Sequence, residues 1–109
     1  SRMELKDFKG AISDFSKAIE INPNYENAYV NRGISRKNIK DFKNSIIDYE
    51  KALSINSKDA ITFHNLALSK KEIGDIKGAC IAMEKSLSLG NKLASKFLEN
   101  ECKEKVEHA

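Results

Sequence analysis

Few side chains in this sequence could do covalent or metal chemistry, and their spacing argues against both. Cys80 and Cys102 stand well apart along the chain, and His64 and His108 form no pair with either, so no zinc-type ligand spacing occurs. A catalytic base at His64 would need a partner that nothing in the sequence places beside it. The five glycines are scattered rather than gathered into a phosphate-cradling loop. Lys17, Lys51 and Lys85 recur singly at an interval of 34, which reads as a solvated helix face rather than a strip tracking phosphates. The expectation is no enzyme, no metal and no cofactor. What remains is a pair of carboxamides. Asn31 and Asn65 also lie 34 apart, each two residues after an aromatic, Tyr29 or Phe63. An amide donates and accepts at once, so it can hold the backbone of an extended peptide whatever its side chains.

The same shift of 34 organises the whole chain. It aligns Asp7, Asp41 and Asp75, then Phe8, Phe42 and Ile76, then Ala11, Ser45 and Ala79. The register continues through Ile12, Ile46 and Cys80, then Phe15, Tyr49 and Met83, then Ala18, Ala52 and Ser86, and it pairs Gly33 with Ala67. Within a unit the apolar residues step by three and four, which puts them on one face of a helix. Cys80, in the slot of Ile12 and Ile46, is expected to be a small core hydrophobe, and Cys102 to be exposed or half-buried. The three aligned aspartates are expected N-caps, since a carboxylate there accepts from first-turn amides. Asn22-Pro23, Asn56-Ser57 and Gly90-Asn91 are turn chemistry that ends helix pairs. Lys40-Asp41 and Gly74-Asp75 are short connections that force antiparallel packing. Helices are predicted near 8–21, 25–38, 42–55, 60–72, 76–89 and 92–107. Such pairs, each shielding the next, make an all-α solenoid.

These stretches resemble the tetratricopeptide repeats, whose unit is about 34 residues of two antiparallel helices. Tyr29-Val30-Asn31-Arg32-Gly33 is similar to the first-helix signature. Asp41-Phe42, Ser45-Ile46, Asp48-Tyr49 and Lys51-Ala52-Leu53 are similar to the second, as are residues 7–23. The resemblance implies a right-handed superhelical solenoid of about six helices with a C-terminal capping helix. Residues 1–23 would be a partial first repeat, 24–57 the second, 58–91 the third and 92–109 the cap. The sequence departs from the pattern where Arg32 replaces the usual leucine, where Ser57 and Asn91 replace the turn proline, and where Ser86 replaces alanine.

The resemblance also implies that first helices line a concave groove that binds a peptide segment of a partner protein. Asn27, Val30, Asn31, Ile34, Lys37 and Asn38 would line it on one repeat, and Ile61, His64, Asn65, Leu68, Lys71 and Glu72 on the next. Some family members grip acidic chaperone tails with Lys, Asn and Arg on successive first helices. Here only Asn31 matches, because Ile61 and Asn65 stand where Lys and Arg would be wanted. A mixed apolar and weakly acidic peptide suits this row better.

Composition narrows the partners. The 109 residues are 32% charged and 40% hydrophobic, with a net charge of +3 whose signs are interspersed, too weakly polarised for nucleic acid or an anionic bilayer. No apolar run approaches the ~20 residues of a membrane span. Two cysteines make no staple framework, which favours a reduced, cytoplasmic setting. Only residues 1–6 precede a second-type helix, so the apolar face of Phe8, Ile12, Phe15 and Ile19 lacks one cover. The expectations are a fragment of a longer array or, as the alternative function, a scaffold that forms homo-oligomers through that first helix. Glu99, Glu101, Lys103, Glu104, Lys105 and Glu107 give the last helix the polarity of a solubilising cap.

Overall fold

Residues that step by three and four along this chain are helical throughout the computed structural model, which describes residues 2–102 in backbone and 8–102 in side chains. The elements are α1 (Arg2–Ile21), α2 (Glu26–Asn38), α3 (Phe42–Ile55), α4 (Ala60–Glu72), α5 (Ile76–Ser88) and α6 (Ala94–Phe97), followed by a π-helical turn (Leu98–Cys102). No strand occurs among the described residues. The chain divides into two compact units, Ser1–Ser57 with α1, α2 and α3, and Lys58–Ala109 with α4, α5 and α6. In the first unit α2 packs on both α1 and α3; in the second, α5 packs on α4 and on the C-terminal segment.

Helices α2 to α5 end within one residue of the predicted spans, and two corrections fall at the chain ends. Helix α1 begins at Arg2, which puts Asp7 inside the helix instead of at its start; the Asp7 side chain is outside the described residues. The predicted 92–107 helix is four α-helical residues and then a π turn, and positions 103–107 of it lie outside the described residues.

The expected caps differ in what they bond. Asp75 accepts from the amide of Gly78 at 2.9 Å, as a cap should. Asp41 holds the N-cap position but makes no cap bond; its carboxylate accepts from the Asn44 side-chain amide at 2.9 Å. Asp59, not anticipated, accepts from the amides of Ile61 and Thr62. Both hairpin turns reverse through a left-handed residue, Lys40 (φ 68) and Gly74 (φ 86). The next amide then bonds back into the helix, Asp41 to Arg36 and Asp75 to Lys70, so carbonyls that would be orphaned are satisfied.

The core of each hairpin is a small residue on the first helix and a large one on the second. A Cβ built at Gly33 would come within 2.7 Å of Tyr49 Cε1. Tyr49 is completely buried, and its hydroxyl has no hydrogen-bond partner among the described residues. Burial, reinforced by the neighbouring Asp48 charge, pushes its pKa well up and keeps the phenol neutral. At the equivalent places of the next repeat, the second unit buries Ala67 and Met83.

Arg32, the departure from leucine, is explained by Asp48, whose side chain is 1% exposed. Arg32 Nε and Nη2 donate to its two oxygens at 3.0 and 2.7 Å, and Arg36 Nη1 adds a third bond at 3.0 Å. The remaining Arg32 nitrogen, Nη1, reaches Ser16 Oγ on α1 at 3.1 Å, and the guanidinium lies over the Tyr29 ring. In the second unit the same two places hold buried Leu66 and Ala82, an apolar pair for an ionic one.

A buried carboxylate paired this closely is costly to break on one side only. Asp48→Ala strands two half-buried guanidiniums and is expected to cost about 3 kcal/mol in urea denaturation. Adding Arg32→Leu, which writes the second unit's apolar pair into the first, is expected to recover most of that. A double variant no more stable than Asp48→Ala would contradict the pairing.

Candidate peptide-binding faces

On α2 the buried residues are Ala28, Tyr29, Gly33 and Ser35, which leaves a stripe on the other side. Asn27, Asn31 and Asn38 are exposed there, and Val30, Ile34 and Lys37 are half-buried between them. Burial lowers the pKa of Lys37. The stripe therefore offers carboxamides to solvent along an apolar floor.

The corresponding face of α4 is differently occupied. Ile61 is 59% exposed, while His64, Asn65, Leu68 and Lys71 are half-buried. Asn91 places Nδ2 at 3.0 Å from His64 Nδ1 and 2.9 Å from Ser86 Oγ. Its Oδ1 accepts from the Leu93 amide, which fixes the amide's orientation and makes His64 Nδ1 the acceptor. Ser86 is completely buried, and its hydroxyl donates to the carbonyl of Ala60 at 2.7 Å. Ser86 and Asn91, both departures from the repeat pattern, thus form one tie between α4 and the start of the C-terminal segment. Further along, Lys71 Nζ lies 2.7 Å from Glu101 Oε1 and 5.7 Å over the Phe97 ring. The hydrogen bond with Glu101 raises the lysine's pKa.

The family description "TPR repeat" matches residues 1–38, and "Tetratricopeptide repeat" matches residues 26–59. Together they span more than half of the chain. The chain belongs to the tetratricopeptide repeat family. Members of this family are protein-interaction modules. No curated protein matches the sequence. Among solved structures, the Sgt2 tetratricopeptide domain from Aspergillus fumigatus superposes with a TM-score of 0.83 at 26% identity, covering 96% of this chain and 72% of that one. The first such domain of Spaghetti (RPAP3), bound to the HSP90 peptide SRMEEVD, gives 0.86 at 17% identity over 93% and 82%. MamA gives 0.76 at 21% identity over 78% of this chain, which spans only 50% of the MamA chain.

Two features of this tetratricopeptide chain lie apart from those stripes. On α1, Phe8, Ile12, Phe15 and Ile19 are all half-buried, and the helix packs on α2. The cysteines correct the sequence reading: Cys80 of α5 and Cys102 of the π turn are joined in a disulfide with their Cα atoms 5.9 Å apart, so neither is a free thiol or a plain core hydrophobe. A gap of 22 residues hid the pair, because only the packing of the terminal segment back onto α5 brings the two together. Among the described residues no cluster of His, Cys, Asp and Glu could hold a metal, and no helix is long and apolar enough to cross a membrane.

The holds on the C-terminal segment are unequal. Cross-linking a loop of this length is worth about 3 kcal/mol, whereas an ion pair open to water is worth little and is screened by salt. The Cys80→Ser, Cys102→Ser variant is therefore expected to lower the second unit's stability by about 3 kcal/mol, and Glu101→Gln to leave the urea midpoint nearly unchanged. Comparable losses from the two variants would contradict this ordering.

Proposed function

We propose that this chain is a non-catalytic module that takes an extended peptide segment of a partner protein on its first-helix faces, with Asn31 as the principal grip on the peptide backbone. The observation that carries this reading is the α2 stripe: Asn31 is exposed, Asn27 and Asn38 flank it, and Val30 and Ile34 supply apolar contact beside it. Asn65 stands at the corresponding place on α4 and is assigned the same role. The peptide-bound structure of the Spaghetti domain supports the use of this fold for holding a peptide. Its ligand, SRMEEVD, is acidic. The present chain keeps only Asn31 of the residues used for acidic chaperone tails, with Lys37 and Lys71 at the margins, so its peptide is assigned a mixed apolar and weakly acidic character. Self-association through Phe8, Ile12, Phe15 and Ile19 is less favoured, because α2 already covers part of that face.

The test is a peptide selected from a random display library against the wild-type chain. Asn31→Ala is expected to weaken its binding about tenfold, the loss of one or two backbone hydrogen bonds, with helical circular dichroism unchanged. An Asn31→Ala, Asn65→Ala chain that stays folded and binds with wild-type affinity would overturn the proposal.

A further inference from the structure

We infer that the Cys80–Cys102 disulfide is a redox latch that decides whether Lys71 serves the chain's own C-terminal segment or a carboxylate on an acidic segment of a partner. Residues 91–102 are held down at four places. Asn91 bonds Ser86 and His64, Ala94 is completely buried, Lys71 holds Phe97 and Glu101, and Cys102 is bonded to Cys80. The segment is too short to be helical alone, having four α-helical residues and five in a π turn. Its ion pair is open to water, with Lys71 39% and Glu101 33% exposed in their side chains. The covalent bond is therefore the hold that sets how often the segment lifts.

Both cysteines are half-buried rather than enclosed in the core. The reductant required is a dithiol. One of its thiolates attacks a sulfur of the pair, giving a mixed disulfide and releasing the other cysteine as a thiolate. Its second thiol then displaces the remaining cysteine and closes into the reductant's own disulfide. Two electrons and two protons pass to the protein, leaving Cys80 and Cys102 as thiols. Without the cross-link, the population with residues 91–102 lifted rises on the order of a hundredfold, from the loop-closure entropy returned to the chain. Lifting removes both Glu101 and Phe97 from the Lys71 ammonium, which lies on the α4 face one turn beyond Leu68. A partner's carboxylate then takes the place of Glu101. That last step rests on the proposed peptide-binding role; the latch does not.

The experiment is hydrogen exchange by mass spectrometry on the intact chain, oxidised and after treatment with dithiothreitol, with acylation of Lys71 by an amine-reactive ester read on the same samples. No partner is added, so failure of the latch and failure of peptide binding are separately visible. Reduction is expected to speed exchange of residues 91–102 at least tenfold, to raise Lys71 acylation several-fold and to leave residues 26–57 unchanged. Cys102→Ser is expected to show the reduced pattern without reductant and to ignore its addition. Exchange of 91–102 unchanged after reduction would overturn the latch. So would a rise across residues 26–57 as well, which marks a general staple, or titration of two free thiols in the untreated protein.

Discussion

The Tyr49 ring lies so close over Gly33 that no side chain fits between them, and this contact sets how α2 and α3 meet. Two helices joined by so short a turn must run antiparallel, but their spacing and rotation are set by what faces what. With glycine on one side and a fully buried aromatic on the other, α2 turns Ala28, Gly33 and Ser35 inward together with Tyr29. The stripe of Asn27, Asn31 and Asn38 points outward as a consequence, so the candidate binding face is the reverse side of a packing solution. The second unit buries a different pair at the equivalent positions, alanine and the more adaptable methionine.

Several of the residues that give this chain its own character come in partnered sets. Arg32 is intelligible only with Asp48, Ser86 only with Asn91, and Cys80 only with Cys102. Each set converts a plain apolar contact or a turn residue into a directed bond. In the first unit the bond ties α2 to α3 and, through Ser16, to α1. In the second, the bonds gather the C-terminal segment onto α4 and α5. The two units thus share one backbone plan and spend their polar substitutions on different tasks.

Much of the fold was legible because a period of 34 and a helical stripe are properties of the sequence itself. Helices α2 to α5 followed from apolar spacing and from turns at Lys40 and Gly74, which local chemistry alone dictates. What escaped was whatever depends on a second residue distant in the chain or competing nearby. Asp41 makes no cap bond, and its carboxylate accepts from Asn44. Asp7 fails as a cap because α1 starts earlier than its apolar stripe. Arg32 reads as an anomaly until the carboxylate of Asp48 is seen beneath it. The cysteines read as unrelated because their proximity is created by the docking of a short terminal segment. On the candidate faces, positions such as Asn31 were assignable from periodicity, but the engagement of His64 and Lys71 by Asn91 and Glu101 required the folded chain.

The seating of α2 on α3 depends most on the fit of Tyr49 against Gly33, and the direct measurement is the urea denaturation of Gly33→Ala alone and combined with Tyr49→Met. On an unobstructed helix this alanine would stabilise by about 1 kcal/mol. The fit predicts instead a net loss of about 1–3 kcal/mol from overpacking, largely reversed when methionine replaces the ring. A single variant as stable as wild type, or a double variant that regains nothing, would contradict it.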